Sequence, residues 1–229
     1  MKFARAVLFF FATLLMYLGW PLLGWLVAGG GNFFALPART GYGGVVGLFS
    51  LAVGVQAFRG VEGIRGKSGE KEKLVLRQTV VRYVLELSLY IALFFIPFCD
   101  QRGVGVFKEG DVLRWLGVIL SLLGYGLIYW SGVALGRQYS ADVTIQEGHR
   151  LITGSIYYAI RHPRYLGIMA LSLGMSLTFR SWIGLLASVF FLALLLYRIR
   201  DEEATMLREF GAEWMAYCQR SWRLIPYLY

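Results

Sequence analysis

Apolar positions along this chain fall into six runs separated by polar stretches: Phe3–Val27, Tyr42–Phe58, Tyr83–Phe98, Val112–Leu135, Leu166–Phe179 and Trp182–Tyr197. A helix that crosses a bilayer needs about 20 mostly apolar residues, roughly 17 at the low end. The first four runs predict spanning helices. The last two are shorter and only Arg180-Ser181 divides them, which predicts a membrane hairpin. Lipid offers backbone polar groups no partner, so spanning segments are helices or closed barrels. The expected fold class is an all-α integral membrane protein with about six transmembrane helices.

The polar stretches complete the outline. Gly136–Tyr158 is too polar to span. It predicts a connector with turns at Gly148 and Gly154 and a short extended piece at Val143-Thr144-Ile145. Beyond the hairpin, Leu207, Phe210, Trp214 and Tyr217 recur at spacings of three and four, with Arg208, Glu209, Glu213 and Arg220 elsewhere around the helix. That pattern predicts a C-terminal amphipathic helix, its aromatic stripe used for packing. Pro226 marks the end of regular structure. Residues 1–135 read as a scaffold of four spans, and 136–229 hold the polar residues that need a function. Within the scaffold, Gly43-x-x-x-Gly47 has the spacing that lets helices approach closely.

Composition agrees with the membrane reading: 57% hydrophobic and 16% charged residues, with a mean hydropathy of +0.57 over 229 positions. The net charge of +9 could suggest a nucleic-acid partner, but its distribution follows the positive-inside rule instead. Lys2 and Arg5 precede the first span. Arg59, Arg65, Lys67, Lys71, Lys73 and Arg77 fill the loop after the second, where Lys67–Lys73 reads as a solvated turn. Arg137, Arg150, Arg161 and Arg164 precede the hairpin, and Arg198, Arg200, Arg208, Arg220 and Arg223 follow it. The other loops hold only Arg39, Arg102 and Lys108. Six spans then place both termini, the connector and the hairpin's open end in the cytoplasm. The first run is too long for a cleaved signal peptide and reads as a retained span. Cys99 and Cys218 fall on opposite sides, and no metal-ligand spacing is present.

A chain that crosses and returns comes back to the side it left. The hairpin therefore brings Arg161-His162-Pro163-Arg164-Tyr165 and Arg198, Asp201, Glu202 and Glu203 to one membrane face. Proline is favoured at the first helical position, so Pro163 predicts a helix start with His162 near its N-cap. The positive end of that helix suits an anion. Arg198 and Glu202, at i and i+4, share a face. Ionisable groups at membrane depth are functional candidates. Together they offer cations for a carboxylate, carboxylates for an ammonium or ribose, and aromatic faces for a sulfonium or adenine. S-adenosylmethionine needs all of these. No G-x-G-x-x-G or P-loop pattern supports a soluble nucleotide site.

These blocks resemble the isoprenylcysteine carboxyl methyltransferase family. Its R-H-P-x-Y-x-G reads here as Arg161-His162-Pro163-Arg164-Tyr165-Leu166-Gly167. Its R-I-x-x-E-E-x-x-L-x-x-x-F-G reads as Arg198-Ile199-Arg200-Asp201-Glu202-Glu203, with Met206 in place of leucine, then Phe210-Gly211. Gly148-His149-Arg150-Leu151-Ile152-Thr153 and Leu224-Ile225-Pro226 match the family's connector and ending. The resemblance implies a cytoplasm-facing S-adenosylmethionine pocket lined by His149, Arg150, Leu151, Ile152, Tyr157, His162, Pro163, Arg164 and Tyr165. Glu202 would bind the cofactor's polar end, and Glu203 would either join it or be structural. Arg198 would hold a lipophilic acceptor, in the family a prenylcysteine carboxylate, and Arg161 would support the pocket. Related enzymes methylate phosphatidylethanolamine or small thiols. The stretch from Arg200 to Pro226 also resembles the end of NADPH-dependent membrane sterol reductases, which are longer chains. A non-catalytic scaffold is the third possibility.

Overall fold

The computed structural model describes residues 2–60, 76–108, 110–136 and 151–229, with backbone only at 76–79. All six apolar runs are helical: α1 (Lys2–Val27), α2 (Pro37–Arg59), α3 (Leu76–Arg102), α4 (Asp111–Leu135), α5 (Pro163–Thr178) and α6 (Trp182–Gln219). Every one except α5 is long and apolar enough to span a membrane. The 16 residues of α5 rise about 24 Å, short of a hydrocarbon core of about 30 Å. Its small residues explain how it fits: Gly167, Gly174, Ser176 and Thr178 are all buried against protein. The connector residues 137–150, including the extended piece at Val143-Thr144-Ile145, lie outside the described residues.

Two helices depart from their expected form. Within α1, Leu15–Gly19 is a π-helical turn, and the Trp20 N–H donates to Leu15 O five residues back. The returning helix does not stop at Tyr197. It runs to Gln219, broken only at Gly211 (φ 48°, ψ −116°). The expected C-terminal amphipathic helix is thus the last part of α6, turned aside at a glycine that can adopt a positive φ.

The tightest packing joins α4 and α5. Glycines recur seven residues apart on both helices, at Gly117 and Gly124 and at Gly167 and Gly174. A Cβ added at Gly124 would lie 2.7 Å from Gly167 O, and one at Gly174 would lie 2.6 Å from Ser121 N. The two backbones therefore touch. The Gly43-x-x-x-Gly47 pair makes no such seam: Gly47 faces open space, and Gly43 meets only side chains.

The end of the bundle holding the Arg180-Ser181 turn is fastened by charge. Asp100 of α3 accepts from Arg114 of α4 at 2.9 and 3.0 Å and from Arg180 at 3.2 Å. Arg114 also donates to Thr178 O at 2.6 Å. Arg39 lies 4.0 Å from the Trp25 ring centroid, its charge over an aromatic face.

Substituting Gly124 or Gly174 by valine should force α4 from α5. Overpacking of this kind costs roughly 1–3 kcal/mol. The expected result is a lower thermal midpoint in detergent, and an unchanged midpoint for Gly47→Val.

Candidate active site

At the end opposite Arg180, α5 begins as its sequence dictates. Pro163 is its first residue, and His162 is the N-cap, with φ −124° and ψ 55°. The His162 carbonyl accepts from the N–H groups of Tyr165 and Leu166 at 3.1 and 3.2 Å. The preceding strand of chain is pinned by the C-terminal tail. Arg161 N donates to Trp222 O at 2.8 Å, and His162 N donates to Arg223 O at 3.0 Å.

The two adjacent glutamates of α6 have different surroundings. Arg198 Nε donates to Glu202 Oε1 at 3.0 Å and to the Tyr165 hydroxyl at 2.9 Å, and that hydroxyl donates to Glu202. His162 Nδ1 stands 3.6 Å from Glu202 Oε2. Glu203 faces the tail side instead. Its Oε1 accepts from Arg161 Nε at 3.0 Å, and its Oε2 accepts from Arg223 Nε at 2.8 Å. Arg161 further donates to Ser221 Oγ at 3.1 Å and to the carbonyls of Cys218 and Ser221. His162 Nε2 approaches Glu203 Oε1 at 3.5 Å without hydrogen-bond geometry and is buried with no partner. The His162 and Tyr165 rings lie nearly parallel, 8° apart with centroids at 5.6 Å.

These groups open on a cavity of about 440 Å³. Leu151, Ile152, Tyr157, Arg161, His162, Pro163, Arg164, Tyr165, Arg198 and Glu202 all line it. The structure thus gathers every expected site residue it describes except Glu203, which sits behind the wall with both oxygens engaged. His149 and Arg150 lie outside the described residues. Burial pushes the Tyr157 phenol above its ordinary range, so it remains a proton donor. Its hydroxyl reaches Ser131 O at 3.4 Å. Among the described residues no group of three or more His, Cys, Asp or Glu side chains could hold a metal.

Several lining residues carry no motif. Trp214 and Tyr217, read from periodicity as packing, face the cavity as well as the helix interface. The Tyr217 hydroxyl donates to Tyr157 O, which fixes the connector against α6. Below the charged end, Leu89, Leu93, Ile96, Met175 and Phe191 make an apolar shaft between α3, α5 and α6. Arg82 and Glu86 of α3 also line the cavity. Only their spacing of four within a run of wall-facing positions could have signalled them.

Residues 116–208 match the model of the isoprenylcysteine carboxyl methyltransferase (ICMT) family. The chain is thus similar to this family over less than half of its length. It is 28% identical over 158 residues to protein-S-isoprenylcysteine O-methyltransferase B of Arabidopsis thaliana, covering 68% of this chain and 73% of that one. It is also 34% identical over 85 residues to a delta(14)-sterol reductase of Mus musculus, and 31% over 90 residues to one of Methylotuvimicrobium alcaliphilum. Of those reductases the chain spans only 20% and 21% of the length. The fold matches that of the eukaryotic intramembrane Ras methyltransferase ICMT, with a TM-score of 0.51 and 21% identity over 98% of this chain and 84% of that one.

The ties of Glu203 predict a stability phenotype. Removing one partner of a buried ion pair costs about 3–5 kcal/mol, because the other charge is left uncompensated. Arg161 and Glu203 have side chains only 9% and 11% exposed. Glu203→Gln should therefore lower the thermal midpoint clearly more than Glu202→Gln does, as followed by tryptophan fluorescence.

Proposed function

We propose that this protein is a membrane methyltransferase that moves the methyl of S-adenosylmethionine to a lipophilic acceptor, a prenylcysteine-type carboxylate. One observation carries the reading: a single cavity joins the charged cluster of His162, Arg198 and Glu202 to an apolar shaft between helices. A reaction between a polar donor and a membrane-dissolved acceptor needs both environments in contact. The end holding these residues also carries Arg161, Arg164, Arg200, Arg208, Arg220 and Arg223. The positive-inside rule supports its placement in the cytoplasm.

The residues fit such a donor on their own chemistry. His162 lines the cavity with its Nδ1 3.6 Å from Glu202 Oε2, so its ring presents a polar edge and an aromatic face to a ligand beside that carboxylate. Arg164 adds positive charge beside it, suited to a carboxylate. Glu202, held in place by Arg198 and Tyr165, offers the opposite charge for an ammonium or ribose hydroxyls. Leu151, Ile152, Tyr157 and Pro163 supply apolar and aromatic surface, with His149 and Arg150 assigned to the same pocket by resemblance. When bound, S-adenosylmethionine supplies a methyl activated by its positive sulfur.

The protein's own contribution is to position and desolvate. A carboxylate is already ionised at neutral pH, so its oxygen takes the methyl with no proton transferred and no general base required. Arg198 orients that carboxylate from the α6 side while steadying Glu202. Arg161, tied to Glu203 and the tail, holds the loop that presents His162. Fixed geometry converts encounter into reaction and can supply several kcal/mol of the barrier reduction. Excluding water strengthens each of these charge contacts.

Labelled methyl from S-adenosylmethionine should pass to prenylcysteine as a base-labile ester. Transfer instead to amines or thiols, or none, would overturn the carboxylate assignment. By calorimetry S-adenosylhomocysteine should bind and NADPH should not, which separates this activity from a reductase. Glu202→Ala should weaken S-adenosylhomocysteine by about 10- to 100-fold, the size of a lost charge-assisted contact. Arg198→Ala should impair acceptor turnover by a similar factor while affecting that affinity less.

A further inference from the structure

The cavity walls are chemically unequal. One side consists of the connector, the start of α5 and the Glu202 end of α6, the groups assigned above to the donor. The other side is made by α1, α3 and α4. From α1 and α4 come Met16, Tyr17, Ile128 and Leu135, none of them charged. From α3 comes a single helical stripe, running from Arg82 and Glu86 down to Leu93 and Ile96 at spacings of three and four. At 1.5 Å per residue the stripe is about 21 Å long. It lies outside the segment that matches the family.

Displacement at a methyl group is in-line: the nucleophile must stand across the carbon from the leaving sulfur. With the donor held by these groups, the acceptor's carboxylate stands across the methyl from the sulfur, between Arg198 and the opposite wall. Among the described lining residues of that wall, Arg82 is the only cation. It sits in the first turns of the described α3, at the same end of the bundle as His162 and Glu202. Its Nη1 is 4.0 Å from Glu86 Oε1, and its guanidinium carbon is 4.8 Å from the Tyr83 ring centroid. The side chain is 24% exposed, held by its neighbours yet reachable.

We infer that Arg82 binds the acceptor's carboxylate from the α3 side, opposite Arg198, so that the acceptor is read by a helix outside the family's motifs. The inference rests on the methyltransferase reading of the same cavity. Glu86 keeps Arg82 on the wall and competes for it. The apolar positions below lie along the path of a chain attached to that carboxylate. No bond is made or broken by Arg82 itself.

The test uses the full chain in lipid nanodiscs. Calorimetry without any methyl donor measures binding of N-acetyl-S-farnesylcysteine, and a second titration measures S-adenosylhomocysteine. Arg82→Gln should weaken the prenylcysteine by about 10- to 100-fold, the loss expected for a charged hydrogen-bonding partner. It should leave S-adenosylhomocysteine affinity unchanged. Arg82→Lys should recover part of the loss, having the charge but not the planar fork. Equal prenylcysteine affinity in Arg82→Gln and the unaltered protein would overturn the assignment, leaving Arg82–Glu86 a helix-surface ion pair. Should Arg82→Gln fail to fold, Glu86→Gln decides. Removing the competing carboxylate should tighten prenylcysteine by roughly two- to fivefold, the scale of an exposed ion pair, and no tightening overturns the role. An unaltered protein that binds S-adenosylhomocysteine but no prenylcysteine also overturns it. One that binds neither ligand overturns the methyltransferase reading and this role together.

Discussion

The contact of backbone on backbone between α4 and α5 is the constraint from which the site follows. Four glycines at seven-residue spacing, Gly117, Gly124, Gly167 and Gly174, let the two backbones meet where any side chain would hold them apart. In a membrane, where lipid is as apolar as leucine, such close packing is a main source of helix association. It also admits a helix too short to span on its own. The 16 residues of α5 sit among longer helices, and its start at Pro163 sits beside the polar part of α6. With α5 shifted by even one side chain's width, His162 and Tyr165 would no longer meet Glu202.

Charge fixes the two ends of the α5–α6 hairpin. At the turn, Asp100 gathers Arg114 and Arg180, and Phe107 N donates to Arg180 O at 2.8 Å. At the open end, Glu203 gathers Arg161 and Arg223. Both carboxylates are nearly hidden and carry two arginines each, an arrangement that spends ion pairs on geometry more than on stability. Glu202, one residue away, is treated differently. It is 20% exposed on the cavity and takes its arginine from its own helix, one turn back. Two neighbouring glutamates thus divide the work, because a helix turns about 100° per residue and points them at different surroundings.

Much of this was legible in the sequence. Six apolar runs predicted six helices. Pro163 predicted the start of α5 to the residue. The i, i+4 relation of Arg198 and Glu202 predicted their contact. These are local signals, each contained in a few residues. The features that escaped are relations between distant segments. The seven-residue glycine rhythm is visible on each helix, yet its meaning lies in the pairing of Gly117 with Gly174 and of Gly124 with Gly167. The nearer-looking Gly43-x-x-x-Gly47 meets no partner backbone. The tail's hold on Arg161 and His162 uses backbone carbonyls of Ser221, Trp222 and Arg223, which no side-chain pattern announces. Trp214 and Tyr217 have the periodicity of packing residues and also line the cavity, since one aromatic ring can serve both.

The scaffold half is therefore more than a membrane anchor. The π-turn at Leu15–Gly19 changes the register of α1 at the level of the cavity, where Met16 and Tyr17 form part of the wall. Widening the helix turn alters the carbonyl pattern, and Tyr17 O accepts from the buried Tyr42 hydroxyl of α2 at 3.0 Å. Tyr17 also packs edge-on against Tyr125 of α4, with centroids at 5.3 Å. Single π-turns within α-helices carry a cost and occur often at functional sites. Here the irregularity is braced on two sides, by α2 and by α4. The motif residues supply the charged groups at one end of the cavity. The apolar space beside it is walled in part by α1, α3 and α4, so its shape can change without altering the charged cluster.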